Sequence, residues 1–443
     1  MKFHKHVEKN RRVILDTERY VWNHPETGYK EWETQKYLAK IFEDAGYEIT
    51  YAGNVPGFYA DIDTGRPGPK LLILGEMDAL GAPNHIEATN GNAHACGHNV
   101  QCAALVGTAL ALKEPGALDG LCGSIRLMAV PAEELIEISF REELRKQGII
   151  RYMGGKVEFL HRGYMDGCDI AFMVHASMDQ TADCLISAGS NGCMAKELVY
   201  MGKASHAGGS PQNGINSLYA ANMGLNALNA IRETFVDDEH VRVHPIVTDG
   251  GQTVNIIPST ATLSTFVRGK TIESVKKTNR KLNRAMAGAA VSLGARVKAV
   301  DRPGYSPLIN EKQLVKLTEE VAIEYFGADR VNNHGRWSSG STDMGDLSCV
   351  MPCVHPYVTG CSGAGHGDDY LVTDPVKACL GAASLQVGLA EKLLQNDAKL
   401  AKGVLANAEL RYPSKEAFFA DIDQLMSDKD LVSYEDDTIT VTL

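Results

Sequence analysis

The chain has 443 residues, more than one core needs, so two or three domains are expected at roughly 100–200 residues each. With 44 Lys and Arg against 55 Asp and Glu the formal charge is −11, which argues against nucleic acid and anionic membrane as partners, since both need a basic face. No apolar run approaches the ~18 residues of a membrane span, the charged N-terminus lacks an apolar signal segment, and ten cysteines lie scattered, so a cytoplasmic protein with reduced thiols is expected.

In chain order, residues 5–46 carry apolar positions at helical spacing, broken at His24-Pro25-Glu26-Thr27-Gly28. Strands are expected at 48–51, 58–62 and 70–74, the last an apolar run between Gly-Pro and Gly. Residues 100–113 are apolar almost all round, as in a buried helix. Residues 124–130 and 169–175 read as further strands. Strand and helix in alternation predict a parallel α/β sheet. Ligands sit beyond the carboxyl ends of such strands, where Asp78, Glu133, Glu134 and His175 fall.

From about residue 189 the pattern changes. Strands at 197–201, 260–268 and 296–300, with helices at 216–234 and 272–293, predict a small α+β domain. A helix at 311–326 returns to the first style. The expected fold is α/β: a mostly parallel sheet with helices on both faces, built from residues 1–188 and 306–443 as the catalytic domain, with an α+β domain inserted at 189–305. A polar tail after about residue 402, with one helix at 415–426, is given no role.

Four groups carry candidate chemistry. In His94-Ala95-Cys96-Gly97-His98, a thiol and an imidazole flank a glycine, and both are good ligands for zinc-like ions. A buried thiol beside a capping histidine fits the same residues. Pro131-Ala132-Glu133-Glu134 closes an apolar strand; one carboxylate can bind metal while its neighbour takes a proton from water. A solvated acidic turn is the plainer alternative. His175 ends a strand, where a core histidine fits equally well, and His366 lies in Gly363-Ala364-Gly365-His366-Gly367, a close approach or a surface turn.

The order Met77-Asp78-Ala79-Leu80, His94-Ala95-Cys96-Gly97-His98, Pro131-Ala132-Glu133-Glu134 and His175 resembles the aminoacylase-type zinc peptidases. Within them it is most similar to the amidohydrolase subgroup of indole-acetyl-amino-acid hydrolases and aminobenzoyl-glutamate hydrolases. Ala204-Ser205-His206-Ala207, the stretch from Gly250 to Pro258 and Gly340-Ser341-Thr342-Asp343 extend the resemblance over residues 10–395.

The resemblance implies two divalent ions per subunit, zinc foremost, with manganese or cobalt as alternatives. Cys96 would bridge them, and His98, Glu134, His175 and His366 would complete the ligands. Glu133 would be the general base and Asp78 a carboxylate supporting the ligands. The inserted domain would serve as lid and dimerisation domain of a homodimer. Its His206 would reach a partner subunit's site, and Asn255 and Arg268 would hold the substrate carboxylate.

Three features depart from the pattern: Asn99 stands where many auxin-conjugate hydrolases have Asp, the Gly-Ser-Thr-Asp stretch is closer to a branch containing dipeptidases, and residues 137–155 form a long charged segment that could alter pocket access. The expected function is hydrolysis of an N-acyl or N-aroyl amino acid by activated water. The rivals are a dipeptidase, a metal-stabilised binding protein without turnover, and an enzyme using Cys96 as nucleophile.

Overall fold

The computed structural model describes residues 2–436 and 438–443. The chain divides into two compact units. The first holds the residues up to Gly189 with Leu308–Trp337 and Asp343–Lys415; the second holds Ser190–Pro307, Ser338–Thr342 and Glu416–Leu443.

The first unit is organised by a six-stranded sheet in the order Thr50–Tyr51, Phe58–Asp63, Ser124–Val130, Lys70–Glu76, Ile170–Phe172, Cys353–Val354. Its last four strands pair in parallel and the first two antiparallel, so the mostly parallel α/β expectation holds. Lys70–Glu76 is buried along its length after Lys70 because it lies between parallel neighbours. The helix His98–Lys113 packs on it, and the helices Arg11–Asn23 and Gly381–Asn407 pack on that helix in turn. This enclosure explains why His98–Lys113 is apolar on every side.

His175 is placed differently from the expected strand end. The strand through Ile170–Phe172 stops, and His175–Ser177 begins a strand of another, four-stranded sheet, pairing with Tyr357–Thr359. The switch follows the partner segment, which itself passes from Cys353–Val354 in one sheet to Tyr357–Thr359 in the other.

The second unit is an antiparallel sheet, in the order Arg242–Val243, Thr260–Gly269, Gly192–Met201, Arg296–Tyr305, Ser427–Asp430. Thr260–Gly269 alternates buried and open positions throughout, as a one-sided sheet requires. The helices Ser217–Ile231 and Ile272–Ser292 cover the sheet, joined to it by Leu198, Tyr200, Leu263, Leu282 and Met286. Asn216 caps the first helix and a Thr271/Ser274 capping box starts the second.

The tail is placed apart from the rest of the expected stretch 306–443. Glu416–Leu443 belongs to the second unit. Its helix ends at Ile422, and Ser427–Asp430 adds an edge strand to Arg296–Tyr305. Ser338–Thr342 also joins the second unit, so the Gly-Ser-Thr-Asp stretch is divided between the two.

Candidate metal centre and substrate-binding groups

Local backbone geometry sets the first donors. Gly97 caps the helix His98–Lys113 with φ at 84°, a left-handed conformation that favours glycine. A Cβ there would also lie 2.4 Å from the Tyr370 hydroxyl. The turn places the Cys96 thiol and the His98 ring in one donor group with His175. Cys96 Sγ lies 3.5 Å from His175 Nε2. Cys96 also groups with Glu134 and His366, and His366 Nε2 lies 3.1 Å from Glu134 Oε1. In each triplet the donor atoms all lie within 4.8 Å of one another, and Cys96 is the member common to both.

Asp78 ties the two triplets together. Its carbonyl and Oδ1 lie 2.8 and 3.2 Å from His98 Nδ1, and its Oδ2 accepts from the Glu134 amide at 2.8 Å. His98 Nδ1–H is thereby committed to Asp78, which turns Nε2 toward the donor group. The expected site residues of the first unit, Asp78, Cys96, His98, Glu133, Glu134, His175 and His366, are thus brought together across residues 78 to 366.

A third triplet joins Glu76, His98 and Glu133. Glu76 Oε2 lies 3.0 Å from His98 Nε2, and its other oxygen pairs with Lys156, which also meets Asp343. These groups are buried, and Lys156 is wholly so. The pairing of Lys156 with Asp343 is not legible in the sequence, where no periodicity marks a lysine for burial. Glu76 is legible in principle: it closes an apolar strand, as Glu133 and Glu134 nearly do, but the expected strand stops short of Gly75.

Electrostatics separates the two adjacent carboxyls. Burial pushes Glu133 well up, and Glu76, Glu134 and Asp343 add to the push. Burial opposes ionisation of Glu134 too, yet the hydrogen bond and charge of His366 outweigh it and bring its carboxyl down to about 2. Neighbouring carboxyls driven apart in this way suit one proton carrier and one ligand. Burial and Glu134 push the Cys96 thiol up, but His98 and His175 prevail and lower it to about 6.

The donor set fits a pair of divalent ions. It offers a thiolate, three imidazoles and a carboxylate, the chemistry that zinc-like metals take. His98 Nε2 is buried with the Glu76 carboxylate beside it, and the donor atoms face one another at close range. Buried polar atoms facing one another in this way are costly unless something satisfies them. The Asn99 departure does not disturb this set: its amide donates to Glu18 at 2.8 Å, where an aspartate would face a second carboxylate.

The second unit presents different groups. His206 is exposed, in a loop bridged to Ile256. Its Nδ1 accepts from the amides of Gly208 and Gly209 at 3.2 and 2.9 Å, so the neutral ring carries its proton on Nε2. The Asn255 carbonyl accepts from the Ala207 amide at 3.0 Å, so Asn255 and His206 share one loop pair. Arg268 stands near the end of Thr260–Gly269, with Nη1 donating to Ser341 Oγ at 3.0 Å. Its Nε is buried and has no partner among the described residues.

Comparison with known proteins identifies the resemblance more closely. Residues 57–391 match peptidase family M20/M25/M40. Human Xaa-Arg dipeptidase is 30% identical over 376 residues, covering 80% of this chain and 78% of its own length. One of the subunits of the Escherichia coli p-aminobenzoyl-glutamate hydrolase is 25% identical over 338 residues, 74% of this chain and 65% of its own. Among solved structures, a dinuclear metal-binding peptidase from Bacillus subtilis superposes with a TM-score of 0.65 at 21% identity, covering 87% of this chain and 99% of that one.

Proposed function

Given that this chain belongs to peptidase family M20/M25/M40 and is a metal-dependent hydrolase of amide or peptide bonds, we propose that it releases an amino acid from an N-acyl or N-aroyl amino acid with a free carboxylate. The observation that carries the reading is the position of Cys96, shared by the two donor triplets. One ion would be held by Cys96, His98 and His175, the other by Cys96, Glu134 and His366. Zinc is the first choice, with manganese and cobalt compatible with the same donors. Such ions, when bound, supply Lewis-acid polarisation and raise the acidity of water.

The chain's own residues supply the rest. Glu133 takes a proton from the attacking water and delivers it to the leaving nitrogen. Asp78 holds His98 and Glu134 in place. His206 offers Nε2–H to the oxyanion, and Arg268 binds the substrate carboxylate together with Asn255.

His206 serves the site of a second copy in a homodimer. The second unit exposes apolar side chains that could pair with a copy: Tyr219 and Met223 on a helix, and Ile246 and Val247 on the short strand Ile246–Asp249. No helix among the described residues is long and apolar enough to cross a membrane, and the ten free cysteines suit a reducing, cytoplasmic setting.

A dipeptide presents the same carboxylate, and the identity to a protein named Xaa-Arg dipeptidase favours a dipeptidase as the second reading. The test is a hydrolysis panel of N-acyl amino acids, N-aroyl amino acids and dipeptides, each with its methyl ester, using metal-reloaded protein. Turnover of the acyl or aroyl acids, with loss on esterification, is expected. Turnover of dipeptides alone would replace the first reading with the second.

A further inference from the structure

The loop that carries both glutamates is held in a conformation that ordinary residues avoid. Ala132 has φ at 56°, in the left-handed region. Its amide donates to Glu31 Oε1 at 2.8 Å, and its carbonyl accepts from the Gly155 amide at 3.1 Å. Glu134 is fixed through its amide by Asp78.

The carbonyls of this loop converge on Arg141. Its Nη1 donates to Met153 O at 2.7 Å and to Ala132 O at 3.4 Å, and Nη2 donates to Glu134 O. Arg141 is 0% exposed. It is the one buried residue of the helix Ile138–Lys146, so the face this helix turns inward is a cation rather than an apolar stripe. A guanidinium presents several donors in a rigid planar fork, which suits it to gathering more than one carbonyl.

The surroundings are shaped around that fork. A Cβ on Gly28 would lie 2.3 Å from Arg141 Nη2 and 2.9 Å from the Ala132 Cα. The Tyr29 ring centre lies 5.6 Å from the Arg141 guanidinium carbon, and the Tyr29 hydroxyl donates to Tyr152 O at 3.1 Å.

We propose that Arg141 is a positioning residue for the reaction: its fork fixes the Ala132 turn so that Glu133 and Glu134 take separate tasks, and the charged segment 137–155 serves to deliver it. The segment is then a brace behind the glutamate loop rather than an entrance feature. This rests on the roles proposed above for Glu133 and Glu134.

The test compares Arg141→Ala, Arg141→Lys and the control Arg145→Ala on the same helix. The readouts are kcat, KM, metal content and the visible spectrum of the cobalt-loaded protein. Arg141→Ala is expected to lower kcat by about 10²-fold, the scale of an ångström-sized misplacement, with KM little changed. Millimolar guanidinium should recover part of the loss, and the cobalt spectrum should shift because Glu134 moves. Arg145→Ala should behave as wild type.

Wild-type kcat in Arg141→Ala, or a loss that guanidinium does not relieve with an unchanged cobalt spectrum, would overturn the proposal. Should Arg141→Ala not fold, Arg141→Lys decides: it keeps the charge but not the fork, and wild-type kcat in it would sink the idea. If the wild-type protein cleaves no amide tested, the functional reading fails. The cobalt spectrum of the variants still decides the positioning role.

Discussion

The two units hold their polar groups in opposite ways. In the first, Glu76, Asp78, His98, Glu133 and Glu134 are all less than a tenth exposed and are held largely by one another. In the second, His206 and Asn255 are exposed and Arg268 is half-buried, each fixed by main chain or a single hydroxyl. A buried cluster of anions and lone-pair donors is stable only with cations among them. Exposed groups carry no such demand and can wait for a substrate. The first unit should therefore respond to mutation through metal content and stability as well as through kinetics, the second through kinetics alone.

The sharpest way to break that contrast is at Glu133 and Glu134. Glu133→Gln should keep its metal and lose about 10²–10⁴-fold in turnover, the usual weight of a general base. Glu134→Gln should lose metal, read by elemental analysis. The reverse pattern would exchange the two roles.

Next in size is Lys156. Replacing it with Met leaves Glu76 and Asp343 buried without their cation, which should cost about 3–5 kcal/mol in a denaturant titration. Its ammonium is held charged: burial works against it, but Asp343 and Glu76 more than compensate. Unchanged stability would mean the triad is not a closed charge system.

Effects in the second unit should be smaller and leave metal content alone. His206→Ala should lower kcat by about 10²-fold, as loss of an oxyanion donor does. Arg268→Ala should raise KM by about 10-fold or more, given ~1.5–3 kcal/mol for a charged hydrogen bond, and should blunt the preference for a free carboxylate over its ester. Mixing Glu133→Gln with His206→Ala subunits should restore up to one working site per verified mixed dimer. Silent heterodimers would place His206 within its own chain or outside the reaction.

The same contrast governs what can be read from the sequence. Asp78, Glu133 and Glu134 stand just past the ends of apolar strands, so position alone points to them, whereas Cys96 and His98 sit at a helix start. For His175 the same argument is partly wrong, since it opens a strand of a second sheet. Lys156 and Arg141 leave no signal because their burial depends on distant or irregular partners: Asp343 lies 187 positions from Lys156, and the Arg141 guanidinium hydrogen-bonds to main-chain carbonyls. The tail strand Ser427–Asp430 is hidden similarly. Its side chains are polar and mostly exposed, and its place is set by main-chain pairing with Arg296–Tyr305.

The most direct test of the central claim is the number of ions that stripped protein takes up. Zinc titration with elemental analysis should give two tight equivalents per chain in the wild type. His175→Ala and His366→Ala should each keep one, because each removes a donor from a single triplet. Cys96→Ala should lose both tight sites, because its thiol belongs to both. A single equivalent in the wild type, or two tight equivalents in Cys96→Ala, would contradict the shared-thiol centre.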